Sequence, residues 1–202
     1  MNDFRTFMQS NKFDDMDSRV ATGKGVESKI LDALNKTGWT ILPATTSEDK
    51  YQKVDGWLKT ARGPEAVQVK YRDRAAGNDI LVEVIRHFSP EMFTSGRRFE
   101  FTGRDMVGVS KYYVVLDNTG WNLLIRSTDE LKDLAKDFTE FLAEEYADNG
   151  KTNMKFGADG EIKITQDRAS GVDKVVAFIN PNSNRLKLKV NIPLKYPILA
   201  GK

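Results

Sequence analysis

The sequence predicts an α/β protein whose mixed central sheet is flanked by helices and followed by a β-rich C-terminal extension. Two amphipathic segments have the spacing of helices, and short alternating segments between and after them end at turn residues. The chain has 202 residues, 40% of them hydrophobic, which is enough for one well-buried core. These patterns divide the chain into an N-terminal arm over residues 1–21, an α/β core over residues 22–148 and an extension over residues 149–202.

The elements follow from the periodicity of the apolar residues. One apolar stripe predicts a helix over residues 25–36. Alternation predicts strands over residues 39–42, 53–58, 66–71, 79–88, 111–117, 121–125, 161–165, 174–179 and 185–192. We expect the strand over residues 79–88 to lie antiparallel beside the strand over residues 66–71. A capping box at Ser127 begins a second helix that continues to Asp148 and packs against the sheet.

Composition excludes several classes of site. The chain has no cysteine, so it has no disulfide, no thiolate zinc site and no cysteine nucleophile. Its single histidine, His87, excludes a multi-histidine metal centre within one chain, and we interpret it as a structural or surface residue. No apolar run approaches the roughly 18 residues that span a bilayer, and no signal peptide is evident. We therefore expect a cytoplasmic protein without a membrane partner.

The most informative pattern joins two successive strands. Asp55 lies on the first strand, and Gln68, Val69 and Lys70 lie on the second, after a turn that contains Gly63 and Pro64. Because side chains alternate across a strand, Gln68 and Lys70 share one face. If the strands pair, Asp55 joins them and supplies a charged oxygen ligand for Mg²⁺, with the Gln68 amide oxygen as a second. The alternative is that all three are ordinary polar residues on the solvated face of a hairpin.

Glu27 adds a further acid to this pattern. In a helix over residues 25–36 it falls between Leu31 and Leu34, inside the apolar face. An ionised group there is costly unless it is paired or reaches a metal. Glu27 is therefore a candidate to bind a metal-bound water molecule. The alternative is a first-turn glutamate that favours the helix N-terminus and reaches solvent.

These residues resemble the PD-(D/E)XK nuclease superfamily, whose core combines a helix with an acid, a strand with Asp and a strand that ends in Glu-x-Lys. The resemblance implies a restriction-endonuclease-like fold and a DNA endonuclease that uses Mg²⁺, with Mn²⁺ as a substitute. It implies that Asp55 is the central metal ligand, with Gln68 and the Val69 carbonyl as further ligands. It also implies that Lys70 activates water or stabilises charge, and that Glu27 is an outer ligand.

The chain departs from the family pattern at two positions. Gln68 replaces an acid, as in the Mrr-like restriction nucleases and one branch of homing endonucleases, and Val54 stands where proline is expected. The missing charge favours one metal ion over two. Because glutamate would restore a charged ligand, Gln68→Glu is expected to retain activity. The alternative function is a catalytically inactive nuclease-fold module that binds DNA or a protein partner, and a purely structural assembly protein is a third.

Candidate DNA-binding cations lie outside the motif. The net charge of +2 neither requires nor forbids a nucleic-acid partner. Residues 89–110 are too polar for the core and form either a DNA-facing loop or an ordinary surface excursion; their arginines are Arg97, Arg98 and Arg104. Arg185, Lys187 and Lys189 alternate with apolar residues and form a basic strand face that either follows phosphates or protects an edge strand. The aromatic N-terminal arm leaves a homodimer or higher homo-oligomer open.

Overall fold

The structure is a computed structural model that describes residues 25–71, 79–96, 98–167 and 170–198. The predicted arm over residues 1–21 and the candidate residue Arg97 lie outside the described residues. Among the described residues, no helix has the length and apolar character needed to cross a membrane.

Helices and strands alternate along the chain, as the α/β prediction requires. The helices are α1 over residues 25–36, α2 over Glu91–Thr94, α3 over Arg104–Val107 and α4 over Thr128–Asn149. Two further turns are a π-helix over Glu48–Gln52 and a 3-10 helix over Gly157–Asp159.

Six strands form a mixed sheet. They are β1 (Ile41–Pro43), β2 (Gly56–Thr60), β3 (Gly63–Lys70), β5 (Tyr112–Leu116), β6 (Asn122–Ser127) and β10 (Val190–Pro193), in the spatial order β1-β2-β3-β5-β6-β10. The pair β3 and β5 is parallel, and the other pairs are antiparallel. The mixed central sheet and its flanking helices confirm the general α/β class.

A second, antiparallel sheet contains four strands. It consists of β4 (Ile80–Ile85), β9 (Asp173–Ile179), β8 (Gly160–Gln166) and β7 (Asn153–Lys155), in that spatial order. The described residues between 149 and 198 are thus rich in strands, as predicted. Those strands enter both sheets, because β10 pairs with β6 while β9 pairs with β4.

The two faces of the six-stranded sheet are covered by different elements. Helix α1 buries its apolar stripe on one face, where Ile30 belongs to the cluster that contains Val67 and Val69. The other face meets α4 and the second sheet in a cluster that contains Tyr113 and Phe138. Because Val67 and Val69 of β3 face α1, the polar side chains that alternate with them lie on the opposite face of the sheet.

Helix α4 follows the predicted pattern. The Ser127 side chain accepts a hydrogen bond from the Glu130 N–H at 3.5 Å, which is the N-cap contact of the capping box. The helix ends at Gly150, whose positive φ of 67° suits glycine.

The predicted pairing of the strands over residues 79–88 and 66–71 is wrong. Strand β3 instead pairs with β5, and β4 joins the second sheet beside β9. Alternation in the sequence shows which face of a strand is apolar, but it does not identify the neighbour along each edge.

Two further sequence interpretations need correction. Residues 185–189 are not a strand, because the Glu130 carboxylate accepts the N–H groups of Lys187 and Leu188, at 3.0 and 3.2 Å, and β10 begins only at Val190. The segment over residues 89–110 is not excluded from the core, since Phe93 and Met106 are buried in it.

Candidate active site

A turn at Lys53, which has left-handed backbone angles, places Asp55 immediately before β2. The π-helix over Glu48–Gln52 ends at Lys53, whose φ of 58° and ψ of 44° are uncommon for a residue with a side chain. The Ser110 hydroxyl donates to the Lys53 carbonyl at 2.9 Å and so helps to hold this turn. The predicted strand over residues 53–58 therefore begins at Gly56, and Asp55 lies immediately before it.

The main chain of β3 holds the Asp55 carboxylate. The Asp55 N–H donates to the Val67 carbonyl at 2.9 Å, and Asp55 Oδ2 accepts from the Val69 N–H at 2.6 Å. Burial raises the pKa of Asp55 above its ordinary value, although the Val69 hydrogen bond and the positive charge of Lys70 oppose that rise. Asp55 is thus a fixed carboxylate whose ionised form lacks full solvation.

The alternation of β3 brings Gln68 and Lys70 to one face. Gly56 lies opposite Val67 in the paired register, and Asp55, just before it, also donates its N–H to the Val67 carbonyl, so the regular register does not continue to Asp55. Val67 and Val69 point into the cluster under α1, and Gln68 and Lys70 therefore point to the opposite face. Gln68 and Lys70 thus share one face of β3, and Lys70 lies close enough to Asp55 for its positive charge to lower the pKa of that carboxyl.

Asp105 on α3 completes this arrangement. Its Oδ1 accepts from Gln68 Nε2 at 3.3 Å and forms an ion pair with Lys70 Nζ at 3.2 Å. Its Oδ2 accepts from the Glu83 N–H at 2.8 Å. Asp105 is only 4% exposed, so its charge is compensated by contacts inside the protein rather than by water.

Close packing of α3 on β4 brings Asp105 to this position. The Gly103 N–H donates to the Val84 carbonyl at 2.8 Å, and a Cβ at Gly103 would lie 1.8 Å from the Glu83 carbonyl oxygen. The Arg104 N–H donates to Glu83 Oε1 at 3.2 Å. Glycine is required at 103 by the approach of the two backbones, because its φ of −62° is ordinary for any residue.

One polar atom at this site has no partner in the described part of the chain. Gln68 is 3% exposed, and its Oε1 receives no hydrogen bond from any described residue. Most buried side-chain oxygens are hydrogen-bonded, so an unsatisfied one calls for a missing partner. The neighbouring amide nitrogen is already occupied by Asp105.

The oxygen atoms present fit a hard divalent cation. The oxygens that could hold such an ion are an Asp55 carboxylate oxygen, the unpartnered Gln68 amide oxygen and the Val69 carbonyl, all of types that suit Mg²⁺. In a strand, the carbonyl groups of alternate residues point to the same edge. The Val67 carbonyl accepts from the Asp55 N–H, so the Val69 carbonyl points to the edge on which Asp55 lies. Within the described ranges, no three His, Cys, Asp or Glu side chains gather as a metal site.

Three cations, which we call the basic rim, lie beside this site and near one another: Lys53, Arg86 and Arg104. Burial lowers the pKa of Lys53, and the nearby charges of Arg104, Arg86 and Lys70 lower it further, against the opposing effect of Asp49. A Cβ at Gly108 would lie 3.2 Å from Lys53 Cβ, which places the end of α3 against Lys53. The rim therefore gives the site a positively charged margin.

The remaining predicted residues lie elsewhere. Glu27 is half-buried on α1, which covers the face of the sheet opposite to Gln68 and Lys70. Arg98 is exposed between α2 and α3. Arg185 forms an ion pair with Asp137 of α4, and Lys189 Nζ donates to the Ser183 carbonyl at 3.2 Å. Lys187 is exposed beside α4.

Sequence reasoning missed Asp105. A four-residue helix such as α3 is barely longer than one helical turn, so it leaves no periodic signal. The segment Gly103-Arg104-Asp105 looks polar in the sequence, and only the pairing of β4 with a distant strand reveals its burial.

Comparison of this chain with protein-family models, with curated proteins and with solved structures finds no match.

Proposed function

We propose that this protein is a metal-dependent DNA endonuclease that hydrolyses phosphodiester bonds. The observation that carries the proposal is the buried amide oxygen of Gln68, which has no partner among the described residues and belongs to the strand whose Val69 N–H holds the Asp55 carboxylate, two residues from Lys70. Asp55 and Gln68 would supply oxygen ligands for a metal ion, and Lys70 would supply a cation beside them. A restriction-endonuclease-like fold belongs to the same proposal, supported by a helix followed by a hairpin that carries these residues.

The chain's own residues have distinct tasks in this proposal. Asp55, Gln68 and the Val69 carbonyl would hold Mg²⁺, or Mn²⁺ in its place. When bound, the metal supplies Lewis-acid stabilisation to the reacting phosphate. Lys70, whose side chain is 35% exposed and whose ammonium group pairs with Asp105, would offset negative charge that develops on the phosphate oxygens.

The basic rim supports DNA as the substrate class. Lys53, Arg86 and Arg104 provide cations for phosphates on either side of the reacting group. Phosphate contacts position a duplex without reading its sequence. The rim therefore accounts for binding to a nucleic-acid backbone and leaves sequence preference to other residues.

The test is cleavage of supercoiled plasmid with Mg²⁺, with Mn²⁺ and with EDTA. Wild-type protein is expected to nick the plasmid with either metal and not with EDTA. Asp55→Asn and Lys70→Ala should abolish nicking while the protein stays folded, because each removes a charge at the site. Asp137→Asn removes a charge from an exposed ion pair on α4 and is the matched control. A folded Asp55→Asn variant with full activity would refute the assignment.

One observation favours the alternative of a nuclease-fold module that binds DNA or protein without cutting it. The ammonium group of Lys70 is already paired with Asp105, and Glu65 on β3 pairs with Lys111. Charges that are neutralised inside the protein in this way can be purely structural. Metal-independent DNA binding by the wild type, without cleavage under any of the plasmid conditions, would support this second function.

A further inference from the structure

The contact between Asp105 and Gln68 determines which end of the amide group faces outward. An ionised carboxylate only accepts hydrogen bonds, so Asp105 Oδ1 requires the Gln68 NH₂ group on its side. The carbonyl oxygen must then point away from Asp105, and this is the atom that has no partner among the described residues. Asp105 is itself held in place by the Glu83 N–H and by Lys70.

We propose that Asp105 is a positioning residue that makes Gln68 a metal ligand and supplies, from α3, the negative charge that an acid at position 68 would carry. This inference rests on the proposed metal site and deepens it. The amide on β3 provides the ligand oxygen, and the buried carboxylate beside it provides the charge. The same carboxylate holds the Lys70 ammonium, so one residue orders two functional groups.

This proposal reverses the expectation for Gln68→Glu. The structure places Gln68 Nε2 only 3.3 Å from Asp105 Oδ1, and both residues are almost fully buried. A glutamate at 68 would bring two carboxylates together without solvent, and like charges at that separation repel strongly. Gln68→Glu alone is therefore expected to destabilise the protein rather than to improve the site.

An exchange of the two side-chain types tests the proposal. In Asp105→Asn, the neutral amide introduced at position 105 can donate as well as accept, so Gln68 is no longer oriented. Adding Gln68→Glu restores a fixed orientation at position 68. One oxygen of the introduced carboxylate accepts from the NH₂ group introduced at position 105, and the other oxygen faces the proposed metal site. The double variant keeps the wild-type charge and nearly the same volume.

The readout is Mn²⁺ affinity, measured by electron paramagnetic resonance in the absence of DNA. Loss of a residue that orients a metal ligand typically weakens metal binding by about 10- to 100-fold. Asp105→Asn should weaken Mn²⁺ binding to this extent, and the double variant should recover most of the affinity. Asp137→Asn, the matched loss of one surface charge, should leave the affinity unchanged. Urea unfolding of these proteins and of Gln68→Glu checks that each is folded and should show that the double variant is more stable than Gln68→Glu.

The outcomes separate this inference from the proposed function. A folded Asp105→Asn protein that binds Mn²⁺ like wild type overturns the role of Asp105, whether or not the wild type cuts DNA. If Asp105→Asn does not fold, a folded double variant with affinity near wild type supports the role, and one without Mn²⁺ affinity overturns it. Wild-type protein that binds Mn²⁺ but cuts no DNA overturns the function alone. Absence of Mn²⁺ binding by the wild type overturns both.

Discussion

Asp55 and Asp117 are both carboxylates shielded from solvent, yet their pKa values move in opposite directions. Burial raises the pKa of Asp55, and one main-chain hydrogen bond does not offset that rise. Burial would also raise the pKa of Asp117, but hydrogen bonds from Asn122, Thr119 and the Trp121 N–H lower it below the ordinary value. Asp117 is thus satisfied within its turn, while Asp55 retains an unsatisfied charge that a ligand can use.

The first residue-scale prediction is that Asp55→Asn raises the free energy of unfolding at pH 7 in the absence of divalent metal. Folding raises the pKa of Asp55, so between the unfolded and the folded pKa the folded state binds more protons than the unfolded state does. The free energy of unfolding of the protein therefore falls as the pH rises through this interval. Asparagine does not ionise, so the variant does not lose stability in this way, and its side-chain oxygen can still accept a hydrogen bond from the Val69 N–H. The gain should appear as the pH rises through this interval and disappear in acid. Urea unfolding between pH 4 and 8 measures it.

Asp117→Asn is the matched control, with the opposite sign. Because its folded pKa is lowered, Asp117 stabilises the protein above its unfolded pKa, near 3.8, and that contribution is lost as the pH falls through the folded value. The variant should lose about 1–3 kcal/mol at pH 7, since the Asn122 Nδ2 and Thr119 hydroxyl donors lose charged acceptor oxygens. If both variants lost stability equally at every pH, the contrast between the two acids would be refuted.

At this scale, the sequence predicted what alternation controls. Gln68 and Lys70 share a face because side chains along a strand have a two-residue period, and the short hairpin brings Asp55 to the Val69 N–H between them. It did not predict Asp105, whose contact with Gln68 spans 37 positions along the chain. Such a contact depends on how β4 and α3 pack, and local periodicity contains no information about that packing.

At the scale of elements, the contact between α3 and β4 decides whether the site forms. Gly103→Ala is expected to displace α3, because its Cβ would clash with the Glu83 carbonyl at 1.8 Å and neither backbone can yield without breaking hydrogen bonds. Asp105 would move with the helix, away from Gln68 and Lys70. Hydrogen exchange should show faster exchange of the amides at positions 103 and 83, together with lower overall stability.

Gly25→Ala provides the control for this element. A Cβ at Gly25 meets no atom within 4 Å, and the residue is exposed at the described start of α1. Alanine favours a helix over glycine by up to about 1 kcal/mol, so this variant should be as stable as wild type or more so. Its amides at positions 103 and 83 should exchange at the wild-type rate. Equally fast exchange of those amides in both variants would contradict a local steric cause.

Local signals explain which elements could be predicted. Helix α4 carries its own capping box and a long apolar stripe, so its start at Thr128 needs no tertiary information. The pairing of β4 with β9 joins segments about 90 positions apart, and many strands offer similar edges. The basic segment over residues 185–189 alternates like a strand, but Glu130 binds its backbone N–H groups and prevents pairing there.

At the scale of the whole molecule, charge is distributed unevenly around the two sheets. Helix α4 is rich in acids, and Arg185 and the Lys187 backbone are bound to two of them, Asp137 and Glu130. Cations beside an acidic helix attract phosphates weakly, because the acids cancel their field. The basic rim instead adjoins the candidate active site, where burial lowers the pKa of Lys53 and the charges of Arg104 and Arg86 lower it further.

This distribution predicts which surface binds DNA. Replacing all three residues of the basic rim with Gln should reduce the slope of log affinity against log salt by about 0.9 for each phosphate that is no longer neutralised, measured with duplex DNA by fluorescence anisotropy. The matched variant with Arg185→Gln, Lys187→Gln and Lys189→Gln also removes three charges, but its slope should stay near wild type, because Asp137 already pairs with Arg185 and the other acids of α4 weaken the field of that surface. Both variants keep polar side chains at exposed or half-buried positions, so neither is expected to unfold. A reduced slope in the second variant and an unchanged slope in the first would place the DNA on the α4 side of the molecule, away from Asp55 and Gln68.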